Sequence, residues 1–398
     1  MAKLLIEDKE EDTQAPFLRG ILTRSLQKAG LTFGQAYAVA TRIRQQLDDE
    51  TVLTSLELHR IVYKQLKSDF GDEVADRYLR PAHALVQVQV ADLEGRLTPF
   101  SVELHRRDLE AIGLTLAESS RVASKLRRHL IREKITQISS QRIARISYDL
   151  IENMASLGPA VARRWLVWRA FVHSGRPLIL VIGGSTGCGK STIATALAHQ
   201  LDIVRMQSTD LLREVMRTML SSEQYPELHA SSYDAWRELV KGEDELVPAT
   251  GDYSVEDGYR AQTKLISVAS EAVIQRALRE RISLIIEGVH AHTELAGAVD
   301  SDDALVVHVM LAVVKKRKLK ERLSGRASKA VRRRAERYLK HFDEIWQLQT
   351  YLLSEADRTN APIIVNDDRK ETVREIMRLI VDELSRNTVP APAEVFGE

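Results

Sequence analysis

The stretch Leu178-Ile-Leu-Val-Ile-Gly-Gly-Ser-Thr-Gly-Cys-Gly-Lys-Ser-Thr192 constrains this chain more than any other. Residues 178–182 form an unbroken apolar run, the pattern of a parallel strand buried on both faces. Gly184-x-x-x-x-Gly189-Lys190-Ser191 follows directly, and Ile193-Ala-Thr-Ala-Leu-Ala198 continues with a helical pattern. Strand, glycine loop and helix in that order make a P-loop, so nucleoside triphosphate binding is expected. Gly184, Gly187 and Gly189 let the backbone approach a phosphate closely. The amides of Ser185, Thr186, Cys188 and Thr192, with the positive end of the helix, then hold the anion. Lys190 is placed to reach the β- and γ-phosphates, and the Ser191 hydroxyl to ligate Mg²⁺. The cofactors implied are ATP and Mg²⁺. The alternative, a glycine-rich turn without a ligand, leaves the flanking strand and helix as coincidence.

A chain of 398 residues points to two or three domains, because single cores rarely grow past about 250–300 residues. A net charge of +1 gives no general attraction to nucleic acid or membrane, so neither is expected as a partner. The lone cysteine, Cys188, excludes an internal disulfide framework and a Cys-ligated zinc ribbon. Cysteine scarcity fits a reducing cytosol. The first residues, Met1-Ala-Lys-Leu-Leu-Ile-Glu-Asp8, lack a signal-peptide apolar core, and no run approaches a membrane span. A cytoplasmic location is the expectation.

Before the P-loop the sequence repeats. The segment from Pro16-Phe17 to Leu47 aligns without a gap with the segment from Pro99-Phe100 to Leu130, matching Gly30-Leu-Thr32 to Gly113-Leu-Thr115 and Val39-Ala40 to Val122-Ala123. Each copy reads as an extended lead-in followed by three or four amphipathic helices. The unit resembles the ATP-cone, a small helical nucleotide-binding module of regulated enzymes. That family carries a basic pair beside an Asp-Gly or Asn-Gly turn in its first strand. Here the lead-ins lack such a pair: they read Leu4-Leu-Ile-Glu-Asp-Lys-Glu-Glu-Asp12 in the first copy and Gln87-Val-Gln-Val-Ala-Asp-Leu-Glu-Gly95 in the second. Without those cations a triphosphate loses its main attraction. The repeats are therefore expected to act as scaffold or homo-oligomer surface, with a regulatory adenine nucleotide as the other reading.

From Arg176 onward strand and helix patterns alternate. Strands are expected over 203–207, 282–286, 305–311 and 362–365, with helices including 262–280 and 372–384. The expected fold class is thus α/β, a P-loop kinase with a five-stranded parallel sheet flanked by helices, preceded by two mostly α-helical ATP-cone-like repeats. Residues 1–83 and 84–153 are the repeats, 154–175 a helical connector anchored by Trp165 and Trp168, and 176–386 the P-loop domain. The Pro-rich tail over 387–398 is expected to be disordered.

Parallel sheets carry ligands at the carboxyl ends of their strands. The second strand ends at Ser208-Thr209-Asp210, which places Asp210 to orient or deprotonate an acceptor hydroxyl, unless it serves as a helix N-cap. Arg213 and Arg217, four apart on one helix face, suit a small phosphorylated acceptor. The third strand ends at Glu287-Gly288, where a carboxylate after an apolar run suits Mg²⁺ held through water. Gly288 is read as allowing close approach of a ligand. The basic segment from Lys315 through Arg326 to Arg337 reads as a lid that closes over phosphates, with Arg326 as its catalytic arginine. A nucleic-acid patch is the competing reading, and the scarcity of interleaved aromatics counts against it.

These segments together are similar to the 2-phosphoglycerate kinase family. The resemblance runs through residues 183–194, Thr209-Asp-Leu-Leu-Arg-Glu-Val-Met-Arg217, Leu228-His-Ala-Ser-Ser-Tyr233, Ile285-Ile-Glu-Gly-Val-His290, residues 337–345 and Pro362-Ile-Ile-Val-Asn366, in order across the domain. It implies ATP-dependent phosphorylation of the 3-hydroxyl of 2-phosphoglycerate, with His229 and His290 on the substrate side. Two alternatives stay open: a kinase of another phosphorylated polyol or inositol phosphate, and an ATP-sensing regulatory protein.

Overall fold

The computed structural model describes residues 4–8, 13–47, 52–79, 88–241, 253–297, 299, 303–325, 329–386 and 389–397. Two compact units divide the chain, Met1–Phe100 with Arg128–Ser139, and Ser101–Arg127 with Ser140–Glu398.

In the first unit, β1 (Leu5–Asp8) and β2 (Thr13–Pro16) precede α1 (Arg19–Lys28) and α2 (Phe33–Gln46). Then come β3 (Val52–Thr54), α3 (Ser55–Phe70) and α4 (Asp72–Leu79). β1 pairs antiparallel with β2 and parallel with β3. The second copy supplies β4 (Gln89–Ala91), β5 (Leu97–Pro99), α5 (Val102–Glu110), α6 (Leu116–Arg132), β6 (Gln137–Ser139) and α7 (Ser140–Glu152). Its strands repeat the arrangement, β4 antiparallel with β5 and parallel with β6. The shared Gly-Leu-Thr has a local cause. Thr32 and Thr115 each begin a helix with a capping box, closed by Gln35 and Glu118. Helices α1 to α4 bury a small core of Leu22, Leu26, Val39, Ile43, Val62 and Leu66.

The compact division does not follow the sequence repeat. Helices of the second copy belong to the P-loop unit because their apolar faces enter its core. Leu109, Ile112, Val122 and Ile151 join Trp165 and Trp168 of α8 (Pro159–Ser174) there. The Trp165 indole N–H donates to the Ala144 carbonyl at 2.8 Å.

Beyond α8 the order is β7 (Leu178–Gly183), α9 (Lys190–Gln200), β8 (Arg205–Ser208), α10 (Thr209–Met219), α11 (Pro226–His229) and α12 (Trp236–Lys241). It continues with α13 (Val255–Arg279), β9 (Leu284–Glu287), α14 (Thr293–Gly297), β10 (Leu305–Ala312) and α15 (Lys316–Ser324). The last elements are α16 (Lys329–Lys340), α17 (Phe342–Arg358), β11 (Ile363–Val365), α18 (Arg369–Leu384) and α19 (Pro392–Phe396). The five strands β11-β10-β7-β9-β8 pair in parallel throughout. β7 is central, and its two-residue alternation feeds both faces. Leu178, Leu180 and Ile182 enter one core and Ile179 and Val181 the other. Among the described residues no helix is long and apolar enough to cross a membrane.

The C-terminal segment corrects one expectation. Residues 389–397 are ordered around α19, and Val395 and Phe396 are buried in the main core. Proline composition suggested disorder, but Pro392 sits in the first helical turn, where its missing N–H costs nothing. Glu394 accepts from the Ala391 amide at 2.9 Å, and two large apolar side chains supply the burial that holds the helix.

Candidate active site

The P-loop stands where its sequence placed it, between β7 and α9 at the carboxyl end of the central strand. Gly189 is the N-cap of α9 with φ 92°, and a Cβ there would lie 2.6 Å from the Asn366 amide nitrogen. Only glycine fits that approach. The loop is braced from within and from outside. Cys188 donates to the Ser185 carbonyl at 3.0 Å, and the same carbonyl takes the Lys190 ammonium at 3.0 Å. Burial pushes the Cys188 thiol pKa up, so this side chain is a packed thiol within the cradle. Ser185, fully buried, donates to Gln349 at 3.1 Å, and Gln349 also bonds both the N–H and the C=O of Val313. Asn366 donates to the Cys188 carbonyl at 2.8 Å. The backbone of Gly184, Thr186, Gly187 and Thr192 completes the turn, with Thr192 exposed in the first turn of α9.

Ser191 Oγ donates to Glu287 Oε1 at 2.9 Å. Glu287 ends β9 and is only 5% exposed. One hydroxyl and one carboxylate at the mouth of a P-loop are hard oxygen donors suited to Mg²⁺, which takes its remaining positions from water and phosphate. Among the described residues no group of three His, Cys, Asp or Glu could hold a metal by itself.

Asp210 lies in the first turn of α10, exposed, and it is not the N-cap. Ser208 takes that role, its hydroxyl accepting from the Asp210 amide at 3.2 Å. The capping alternative is corrected, and the carboxylate is left facing solvent beside the strand end. Gly288 likewise has a different reason from the one expected. Its Cβ would fall 1.7 Å from Thr209 Oγ1, at φ 154°. The space is taken by the first residue of α10 rather than by a ligand.

Arg213 donates to the Ala230 carbonyl. Arg217 pairs with Glu214 at 2.9 Å, so its charge is already partly matched within the helix. His229 meets the Leu220 carbonyl through Nε2 at 3.0 Å, a link that holds the turn between α10 and α11. His290 is 1% exposed, stacked on Tyr259 at 5.8 Å and bonded through Nε2 to Gln262 at 2.8 Å. Burial first, then the charges of Arg213, His292 and Lys190, holds its pKa well below the usual histidine range. That set of neighbours brings His290, Arg213 and Lys190 into one electrostatic environment.

The described start of the basic segment is α15. Helix α15 packs on the P-loop through Leu319 and Leu323, which crowd Gly187. Arg322 of this helix donates to the Cys188 carbonyl at 3.4 Å and to the Asn366 carbonyl. Arg326 lies outside the described residues. Farther on, Arg337 donates to Ser231 at 3.2 Å, and Tyr233 packs edge-on against Tyr338. Arg322, Gln349, Asn366 and Gln262 hold the loops around the site, a role that motif reading did not assign to them. The signal was present for two of them. Gln349 and Gln262 are amides set among apolar residues at helical spacing, beside Ile345 and Leu352, and beside Tyr259 and Ile266.

Residues 179–361 match the Cytidylate kinase-like family. Similar over much of the chain are proteins described as 2-phosphoglycerate kinase. The one from Pyrococcus horikoshii is 33% identical over 72% of this chain and 90% of its own length. That from Methanopyrus kandleri is 34% identical over 72% and 85%, and that from Thermococcus kodakarensis is 29% identical over 96% and 98%. With a central P-loop strand, an acid on the neighbouring strand end and this extent of similarity, the chain is a phosphotransferase with a hydroxyl acceptor and belongs to the 2-phosphoglycerate kinase family.

Proposed function

We propose that the chain transfers the γ-phosphoryl group of ATP to the 3-hydroxyl of 2-phosphoglycerate, giving 2,3-bisphosphoglycerate and ADP. The observation that carries this reading is the Ser191–Glu287 pair at 2.9 Å beside the P-loop, with Asp210 and Arg213 on α10, which follows the neighbouring strand β8 where Ser208 pairs with Glu287. The acceptor's identity is supported by the names of the relatives. In this reading Lys190 turns from the Ser185 carbonyl to the β- and γ-phosphates, where it matches developing charge. Ser191 and Glu287 would hold Mg²⁺, which would supply charge neutralisation at the phosphates. Asp210 takes the proton of the 3-hydroxyl as its oxygen bonds to the γ-phosphorus and the bond to ADP breaks. Arg213 and Arg217 receive the acceptor's anionic groups, and Arg322 fixes the loop from above.

In the N-terminal repeats the reading is scaffold. The cation of the second lead-in, Arg96, is committed to Asp92 at 2.7 Å and Glu94 at 3.1 Å, which supports a module without a phosphate grip. A panel of phosphorylated glycerates, polyols and inositols, scored by ADP release and by ³¹P spectra of the product, tests the proposal. Turnover of 2-phosphoglycerate to a bisphosphate is expected, and preference for another acceptor would overturn it.

A further inference from the structure

Gln262 sits on α13, fully buried, and its amide joins three segments of the acceptor side. The amide nitrogen donates to the Glu227 carbonyl at 2.6 Å and to the Ala230 carbonyl at 3.2 Å. Both amide hydrogens are thus used, and turning the amide over would set its oxygen against two carbonyl oxygens. The oxygen therefore faces His290 Nε2, 2.8 Å away, and must accept from it. His290 Nε2 carries the hydrogen, so in the neutral ring Nδ1 holds a bare lone pair. That atom is buried and has no partner among the described residues. The Ala230 carbonyl bonded by Gln262 is also the one that receives Arg213.

We infer that Gln262 is a positioning residue that fixes His290 as the Nε2–H tautomer, so that its Nδ1 accepts a hydrogen bond from a hydroxyl of the phosphorylated acceptor, with Arg213 held alongside. The inference rests on the proposed phosphoryl transfer for the ligand, but the tautomer itself does not. A ring in this state selects a neutral hydroxyl donor and offers nothing to a phosphate oxygen, since it has no hydrogen to give at Nδ1. The groups that bear on its charge are Arg213 from α10, Lys190 from α9 and His292 on the same loop, all of which oppose protonation. Tyr259 from α13 stays a neutral phenol, its pKa raised by burial.

Nitrogen-15 spectra of the full-length chain labelled at histidine, assigned with His290→Asn, read the tautomer directly. At pH 7.5 we expect a protonated Nε2 and a bare Nδ1 in the unmodified chain, and a shift of the Nδ1 resonance on adding 2-phosphoglycerate. Gln262→Leu should release the tautomer and raise the acceptor KM about tenfold or more, the scale of a lost buried hydrogen bond, with the ATP KM unchanged. A protonated Nδ1 in the unmodified chain overturns the inference, as does an equal rise of both KM values in Gln262→Leu. If 2-phosphoglycerate is not turned over but the tautomer is as stated, the acceptor assignment fails and the positioning role is then measured with the acceptor the panel selects.

Discussion

Replacing Glu287 by Gln separates what this side chain does for the fold from what it does for the reaction. The carboxylate is 5% exposed and accepts from a neutral hydroxyl, Ser191 Oγ at 2.9 Å. Glutamine keeps the length, the shape and an oxygen that Ser191 can still bond. The net change is therefore the loss of one negative charge from a buried position, and removing an uncompensated buried charge does not destabilise. We expect the unfolding midpoint of the free protein to hold or rise. The reaction should respond the other way. Loss of an acid that orients metal-bound water typically costs about 10–100-fold in metal affinity or activity, or ~1.4–2.7 kcal/mol. A Mg²⁺ titration of ATP turnover should show its midpoint moved upward by that factor. Asp210→Asn serves as the contrast: it should lower kcat by about 10²–10⁴ through loss of the base and leave the Mg²⁺ midpoint in place. A shift below about twofold in Glu287→Gln, or equal shifts in the two variants, refutes the division of roles.

Lys190→Ala should abolish turnover while the fold survives, and more than about a tenth of the original kcat would contradict the role of this cation at the phosphates. Asn366→Ala should remove the bond to the Cys188 carbonyl and raise the ATP KM by about five- to a hundredfold, the range for a buried acceptor left short of a partner; an unchanged ATP KM with a lowered unfolding midpoint would assign Asn366 to stability alone. Burial holds His105 down to about 3 and His308 to about 4. Their stabilising contribution is present above the unfolded-state pKa of about 6.5 and is lost as pH falls toward those values. Urea unfolding between pH 7.5 and 5.0 should show a loss of about 2 kcal/mol for each of them, and stability that is flat over that range would refute their neutral burial. Calorimetric titration of Mg·ATP should give one equivalent per chain, and a second equivalent that persists in Lys190→Ala and disappears without residues 1–150 would defeat the scaffold reading of the repeats.

The sheet was legible because its inner strands β7, β9 and β10 are buried on both faces. Residues 178–182 are apolar without interruption and 305–311 are broken only by His308, and such runs between helical patterns have few other uses. Strand ends were legible for the same reason: Glu287 closes β9 and Asp210 lies two residues past the end of β8. The local choice at the start of α10 was not. Ser208, Thr209 and Asp210 are all good N-caps, and the decision for Ser208 depends on where β8 stops pairing, at Ser208 opposite Glu287. The tail misled through its prolines, because composition does not register two apolar side chains that find a place in a distant core.

The residues missed around the site share one physical property: each is an amide or guanidinium whose partners lie far away in sequence. Asn366 reaches Cys188, Gln349 reaches Ser185, and Gln262 reaches both Glu227 and His290. A P-loop is encoded locally, since strand, turn and helix are consecutive, and its phosphate chemistry follows from eight residues. The acceptor side is encoded by contacts among α10, α11, α13 and the loop after β9, so no short motif specifies it. It follows that changes confined to Gln262, Glu227 or Ala230 can alter which hydroxyl is recognised while leaving the nucleotide site intact. Variation at the P-loop braces Gln349 and Asn366 should do the reverse. Acceptor choice and ATP affinity are therefore separable by substitution, and a Gln262 variant that changes the ATP KM as much as the acceptor KM would show that the two halves of the site are not independent.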